Sequence, residues 1–307
     1  MPLPLAAVVI PTFNRAARVG AAITSALEQD HPVHVVVVDD GSTDTTPAAL
    51  QRFAGDRRIT LVRHEINRGP SAAKNSGLEH LPAAARYAGI LDSDDVLLPG
   101  AIRALVTAFD TASDRPSQVF GWCSDPLSGA ATGVAPDAAG TIELADAICG
   151  RFAGEFWQLA RVDLLAERRF DERAVGGESW LWWRLMREAP AMLIPDVVRH
   201  YDRSGGDRVS IPAYDARAAA GRMWAYRRVL DEFGVEMRLH CRRHHGELAA
   251  EAAKWALLAG DRRYARWAAT AAFRDAPSRR AAALWLAQLA PRQLLAGLAR
   301  RHRRHAG

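Results

Sequence analysis

Apolar residues in the first hundred positions come in short unbroken runs, not in alternation, and each run stops at polar residues. Val8-Val9-Ile10 stops at Pro11-Thr12-Phe13-Asn14, and Val33 to Val38, interrupted only by His34, stops at Asp39-Asp40-Gly41-Ser42-Thr43-Asp44. Ile59 to Val62 is a third run, and Tyr87-Ala88-Gly89-Ile90 leads into Leu91-Asp92-Ser93-Asp94-Asp95. Helix-like sequence fills the intervals Arg15 to Gln29, Thr45 to Phe53 and Ser71 to Leu81. Continuous apolar runs are the mark of strands buried on both faces, and their alternation with helices predicts βαβ units. The fold class expected is therefore α/β, a mainly parallel sheet flanked by helices. In such sheets ligands bind at the carboxyl ends of the strands.

Carboxylates recur at those ends. Side chains alternate along a strand, so Asp92 and Asp94 are expected to emerge on the same side at its carboxyl end. Two hard oxygen ligands suit Mg²⁺ or Mn²⁺, which completes its shell with water and substrate phosphates. A polar turn capping the next helix, with Pro99 in its first turn, is the competing reading. Asp39-Asp40, after a run that must be buried, needs a ligand, a cation or water, since burying an unpartnered charge is costly.

Four segments in order, Val9-Ile10-Pro11-Thr12-Phe13-Asn14-Arg15, Val38-Asp39-Asp40-Gly41-Ser42-Thr43-Asp44, Asn67-Arg68-Gly69-Pro70-Ser71-Ala72-Ala73-Lys74-Asn75 and Leu91-Asp92-Ser93-Asp94-Asp95, resemble the signature of family 2 glycosyltransferases. The resemblance weakens but extends to about Ser210. It implies a GT-A fold and a metal-dependent, inverting transferase that uses a nucleotide-sugar donor. By the same resemblance, Phe13 and the Pro11 backbone flank the nucleobase and Asp40 accepts a hydrogen bond from the base imide. Asp92 and Ser93 face the ribose or the metal shell, and Asp94 binds the metal. Lys74 stands where many members carry Arg; it pairs with phosphate without Arg's bidentate fork.

Downstream, Phe170-Asp171-Glu172-Arg173 and Gly176-Gly177-Glu178-Ser179-Trp180-Leu181-Trp182-Trp183-Arg184-Leu185 resemble the segment holding the acceptor-side base. Members have Glu-Asp there, with Asp as the base; here Ser179 occupies that position. A serine hydroxyl cannot take a sugar-hydroxyl proton at neutral pH, whereas a carboxylate of suitable pKa can. Glu178 is the replacement expected, with Asp163 and Glu155 the next carboxylates to consider. Ser179 also suits a helix N-cap. Helical spacing turns Trp182, Trp183 and Met186 to the core and places Trp180 elsewhere, where core or interface packing is its first reading and a sugar platform its alternative. His200, Arg203 and Arg208 are candidates for phosphate or metal contact in a loop that in the family closes over the diphosphate.

Charge is uneven. The whole chain carries +5, yet the residues from His240 onward hold 14 Lys and Arg against 4 Asp and Glu. The predicted division is a GT-A domain over 1–213 and a helical, basic region over 214–307, broken at Gly260-Asp261, Ala276-Pro277 and Pro291. That region reads either as a surface for anionic membrane or as a packed helical subdomain with a solvated basic end. It shows no nucleic-acid module. Cys123, Cys149 and Cys241 show no metal-ligand spacing and read as free thiols of a cytoplasmic chain, peripheral at the inner membrane face. Met1 to Ile10 lacks the basic start of a signal peptide and reads as the first strand.

The activity implied is sugar transfer from a nucleotide sugar to an acceptor hydroxyl on a carbohydrate or lipid-linked carrier. The alternative is a non-catalytic nucleotide-sugar-binding protein that lost its base at position 179. A nucleotidyltransferase would be expected to show a Gly- and Lys/Arg-rich phosphate loop after the first strand, and Pro11 to Arg15 is not one.

Overall fold

The computed structural model describes residues 3, 5–201 and 216–288. The strands are β1 (Leu5–Thr12), β2 (Val33–Asp39), β3 (Ile59–Arg63), β4 (Ala85–Ile90), β5 (Val96–Leu97), β6 (Gln118–Ser124), β7 (Gly133–Val134), β8 (Gly140–Ile142), β9 (Ala153–Gly154), β10 (Phe156–Arg161) and β11 (Ala191–His200). The helices are α1 (Val19–Leu27), α2 (Thr46–Gln51), α3 (Pro70–Glu79), α4 (Ala101–Thr111), α5 (Leu144–Ile148), α6 (Val162–Leu165), α7 (Ser179–Met186), α8 (Ala216–His240), α9 (Arg242–Ala259), α10 (Arg262–Asp275) and α11 (Arg279–Ala287). They form two compact units, one over the described residues of 1–147, 151–172 and 181–205, the other over those of 148–150, 173–180 and 206–307. The expected boundary between residues 213 and 214, Arg203, Arg208 and the terminal Arg300, Arg301, Arg303 and Arg304 lie outside the described residues.

The first unit is built on one sheet in the order β3-β2-β1-β4-β10-β6-β11-β5, with β8 paired to β11. β3, β2, β1 and β4 are parallel, as the apolar runs predict, and beyond β4 the directions are mixed. Ala6 to Ile10 and Val35 to Val38 are fully buried, because helices cover both faces of these strands. Each such Val or Ile contributes roughly 1.5–3 kcal/mol. Glycine at 77 lets α3 lie against β1: a Cβ there would stand 2.1 Å from Val9 Cγ1. The register pairs Thr12 with Asp39 and Asp39 with Arg63, so the ends of β1, β2 and β3 form one edge.

α1 begins at Val19, later than the Arg15 expected from periodicity. The intervening turn is held from outside: Asn14 takes φ 52°, its amide donates to Ser42 Oγ at 2.9 Å, and the Arg15 amide donates to Thr46 Oγ1 at 2.8 Å. These bonds tie the loop after β1 to the loop after β2.

The second unit is helical, with a core of small side chains. Ala249, Ala252, Ala253, Ala256, Ala265, Ala268, Ala269 and Ala272 are all fully buried. Gly260, at φ 84°, ends α9, and the Asp261 carboxylate caps α10 by accepting from the Tyr264 amide at 2.9 Å. Ser278 caps α11 through the Ala281 amide. The sequence breaks at Gly260-Asp261 and Ala276-Pro277 thus fall at helix ends, and α8 and α9 are 25 and 18 residues long.

The expectation of three free thiols is corrected. Cys149 and Cys241 are joined in a disulfide across 92 residues, and only Cys123 is free. Distance along the chain gave no sign of it, because α8 returns the chain to the 148–150 segment. The inference of a reduced, cytoplasmic chain loses that support. No helix among the described residues is long and apolar enough to cross a membrane.

Candidate active site

The edge formed by β1, β2 and β3 gathers the first two motifs. Phe13, one residue past β1, is 38% exposed and is not part of the core. Asp39 and Asp40 are both buried, but their surroundings differ. The Asp40 carboxylate is fully engaged by its own protein: Oδ1 accepts from the Arg68 amide at 2.9 Å and lies 2.7 Å from His64 Nδ1, and Oδ2 accepts from the Gly69 amide at 2.7 Å. His64 Nε2 reaches Ser76 Oγ at 2.9 Å. Asp40 therefore fixes the turn that starts α3. Asp39 Oδ1 accepts from the Ser42 amide at 2.9 Å, while its Oδ2 makes no hydrogen bond and has only the Arg63 guanidinium at 3.5 Å. The neighbouring Thr12 hydroxyl is likewise buried without a partner. Gly41 permits this crowding: at φ 72°, a Cβ would meet the Ile66 backbone at 2.5 Å.

The acidic motif does not continue the strand. β4 ends at Ile90, and Asp92 to Asp95 form a turn closed by the Asp95 amide donating to the Asp92 carbonyl at 3.0 Å. Strand alternation therefore does not set the sides of Asp92 and Asp94, since both lie in the turn. Asp92 is exposed, Asp94 partly so, and Ser93 is buried. Buried Lys74 brings its Nζ to 3.9 Å from Asp92 Oδ1, so two of the predicted residues meet here. Among the described residues no group of three or more His, Cys, Asp and Glu converges as a closed metal cage. Two carboxylates with open surroundings still fit Mg²⁺ or Mn²⁺, which binds through one or two carboxylates and substrate phosphates.

Two supporting clusters hold these motifs in place. Asn75 grips the distant segment 170–172: its Oδ1 accepts from the Phe170 amide at 2.8 Å, and its Nδ2 donates to the Phe170 carbonyl at 3.0 Å and to Glu172 Oε1 at 3.2 Å. This sets the Phe170 ring 5.8 Å from Lys74 Nζ. Behind the acidic turn, Arg199 of β11 is buried and donates to Asp95 Oδ2 at 2.8 Å, Glu155 Oε2 at 3.1 Å and Cys123 Sγ at 3.2 Å. Burial pushes the Asp95 carboxyl up to about 7 against the pull of Arg199, and it pushes the Cys123 thiol up to about 11. Arg199 thereby holds the turn that carries Asp92 and Asp94.

The remaining predicted residues lie on other elements. Half-buried His200 ends β11, with Nδ1 3.2 Å from Ser124 Oγ. Glu178 follows two left-handed glycines, Gly176 and Gly177, and Ser179 opens α7; both belong to the helical unit. Trp180 is packed, its first reading, and the sugar-platform alternative is set aside: it is 5% exposed, its Nε1 donates to Glu232 Oε2 at 2.6 Å, and the Arg228 guanidinium covers its ring at 4.2 Å. A buried indole N–H needs such a partner, and a covered face cannot receive a sugar. Asp163 is ion-paired with Arg161, whose hydrogen bond holds it below the usual carboxylate range. Glu155 is taken by Arg199.

Residues 7–121 match the family model described as glycosyl transferase family 2. The chain is 33% identical over 193 residues to the GalNAc(5)-diNAcBac-PP-undecaprenol beta-1,3-glucosyltransferase of Campylobacter jejuni, covering 61% of each chain. It is 40% identical over 105 residues to the succinoglycan biosynthesis protein ExoO of Rhizobium meliloti, covering 34% of this chain and 29% of ExoO. The chain thus spans less than two thirds of the length of these relatives. Among solved structures, TarS 1–349 of S. aureus in complex with UDP-GlcNAc superposes with a TM-score of 0.62 at 15% identity, over 90% of this chain and 89% of that one. The mannosyltransferase PcManGT of Pyrobaculum calidifontis, in complex with GDP-Man and Mn²⁺, does so with a TM-score of 0.57 at 21% identity, over 97% and 87%. The fold is the GT-A type expected.

Proposed function

We propose that the chain is an inverting glycosyltransferase that moves a sugar from a nucleotide-sugar donor to an acceptor hydroxyl, with the donor chemistry in residues 1–213. The observation that carries this is the shared edge at which Phe13, Asp39, Lys74 and the Asp92–Asp94 turn are held by bonds from neighbouring elements. The exposed Phe13 ring stacks on the nucleobase. Base recognition passes from Asp40, whose oxygens are taken, to Asp39, whose buried Oδ2 lacks a donor that a base imide supplies. Lys74 pairs with phosphate.

Asp92 and Asp94 would hold Mn²⁺ or Mg²⁺, which when bound neutralises charge on the departing diphosphate. Glu178 takes the acceptor proton, because Ser179 has no basicity for it. One in-line displacement needs one protein base, so no second carboxylate is required. The undecaprenol-linked substrate in the name of the C. jejuni relative supports a lipid-linked or polysaccharide acceptor of the cell envelope. Peripheral contact of the basic region 214–307 with anionic membrane would present the enzyme to it. The serine at 179 supports the second reading, a donor-binding protein without transfer. Calorimetric binding of UDP, GDP and dTDP sugars with Mn²⁺, followed by assay of released diphosphate, tests both: binding with release supports the enzyme, binding without release the second reading, and no binding overturns both.

A further inference from the structure

From Arg262 to the end of the chain there are eleven arginines and a single acidic residue, Asp275. Asp275 does not face solvent. Its side chain is buried and accepts from Arg242 at 2.9 Å and Arg274 at 2.7 Å, with Arg238 and His245 also against it. The outer surface of α10 is thus free of carboxylates. Arg263, Arg266, Trp267, Thr270, Phe273 and Arg274 recur at helical spacing and are all exposed, whereas Tyr264, Ala265, Ala268, Ala269, Ala271 and Ala272 are buried. Trp267 is 46% and Phe273 50% exposed, and on α11 Trp285 is 44% and Leu286 58% exposed. Trp267 is held in place by stacking on Tyr264, with ring centroids 5.3 Å apart. Arg263, Arg266 and Arg279 make no ion pair among the described residues.

A face exposed only to water mixes charges of both signs and hides its aromatics. Arginines flanking protruding Trp, Phe and Leu fit another surface, the interface of an anionic bilayer, where aromatic rings enter the headgroup layer and guanidinium groups meet lipid phosphates. The exposed Val235 and Leu239 of α8 differ, because that helix also carries Asp231, Glu232 and Glu236. We propose that the outer face of α10, continued by Trp285 and Leu286 of α11, docks on anionic membrane. This specifies the peripheral contact proposed above and rests on it; charge complementarity and the exposed aromatics select the occupant.

The test is flotation of the full chain with vesicles of phosphatidylcholine alone and of phosphatidylcholine with phosphatidylglycerol. The variants are Trp267→Ser with Phe273→Ser, Arg263→Gln with Arg266→Gln, and Arg300, Arg301, Arg303 and Arg304 all to Gln. Unchanged circular dichroism and nucleotide binding verify the fold. Wild type should float only with anionic vesicles, and less in high salt. Each arginine lost from α10 should weaken partitioning about five-fold, and loss of both aromatics should weaken it at least as much. Failure of wild type to float overturns the membrane reading as a whole. Flotation that survives the α10 changes but is lost with the terminal arginines overturns the face while keeping the membrane. Wild-type dimers that the aromatic changes dissociate, with no flotation, would assign the face to a second copy of the chain instead.

Discussion

Adjacent carboxylates at the end of β2 predict opposite phenotypes for the same substitution. Asp39→Asn keeps an oxygen for the Ser42 amide and replaces Oδ2, which makes no hydrogen bond and faces the Arg63 guanidinium at 3.5 Å, by an amide. The free protein loses no hydrogen bond and only a long ion pair to the exposed Arg63, so its stability should change by about 1 kcal/mol or less. The donor complex changes more: a base N–H would meet an N–H in place of a charged acceptor. A hydrogen bond to a charged group is worth ~1.5–3 kcal/mol, which at 1.4 kcal/mol per decade weakens donor binding roughly 10- to 100-fold. Asp40→Asn does the reverse. Its oxygens accept two backbone amides and contact His64, and the new amide turns a donor toward one of those donors. A buried group left unsatisfied costs about 1–3 kcal/mol, and the loss of charge on the remaining bond brings the total to about 2–4 kcal/mol. In a unit of this size that lowers Tm by roughly 5–10 °C. Calorimetry with the preferred nucleotide and differential scanning of both variants measure the contrast. Unchanged affinity in Asp39→Asn, with weakened affinity and unchanged Tm in Asp40→Asn, would refute the assignment and return base recognition to Asp40.

Asp94→Asn should abolish most of the Mn²⁺ dependence of donor binding with the fold intact; unchanged affinity and metal dependence would remove the metal assignment. Glu178→Gln should lower turnover by about 10²–10⁴ while donor affinity holds, and transfer that survives would exclude Glu178 as the base; in a protein without transfer, gain of activity in Ser179→Asp would establish the binding-protein reading. Asp275 is held well below the usual carboxylate range by its hydrogen bond to Arg274 and then by Arg242, so its stabilisation is complete above the unfolded value near pH 4 and is lost as pH falls through the lower folded value. Acid unfolding of the helical unit should therefore begin below about pH 4, and Asp275→Asn should remove that part of the pH dependence; an identical acid profile in the variant would count against it. Thiol labelling of the unfolded, unreduced protein should modify Cys123 alone, and three labelled cysteines would show that the Cys149–Cys241 bond is absent.

The strands and the acidic turn were legible because their information is local: Val8 to Ile10, Val33 to Val38 and the polar residues at their ends announce buried strands with chemistry at the tips. Phe13 was legible by motif, and its exposure fits that role. The supports were not legible, because they are contacts between distant segments. Asn75 has no local reason to hold Phe170 and Glu172, and Arg199 reads as one more residue of an apolar strand until the fold sets it behind Asp95. Position 179 was legible only as a departure. Trp180 kept two readings in the sequence because helical spacing tells which residues share a face without telling what covers that face.

The pairing of Thr12 with Asp39 and of Asp39 with Arg63 couples two properties that are usually measured separately. Side chains alternate across a sheet, so a slip of one residue in the β1–β2 pairing turns the buried carboxylate to the opposite face relative to the end of β1. A chain misthreaded by one position could keep its secondary structure and its solubility while losing every contact to a nucleotide. The fraction of a preparation that binds nucleotide stoichiometrically is therefore a count of correctly threaded molecules, and spectra that report only helix and strand content would miss the rest.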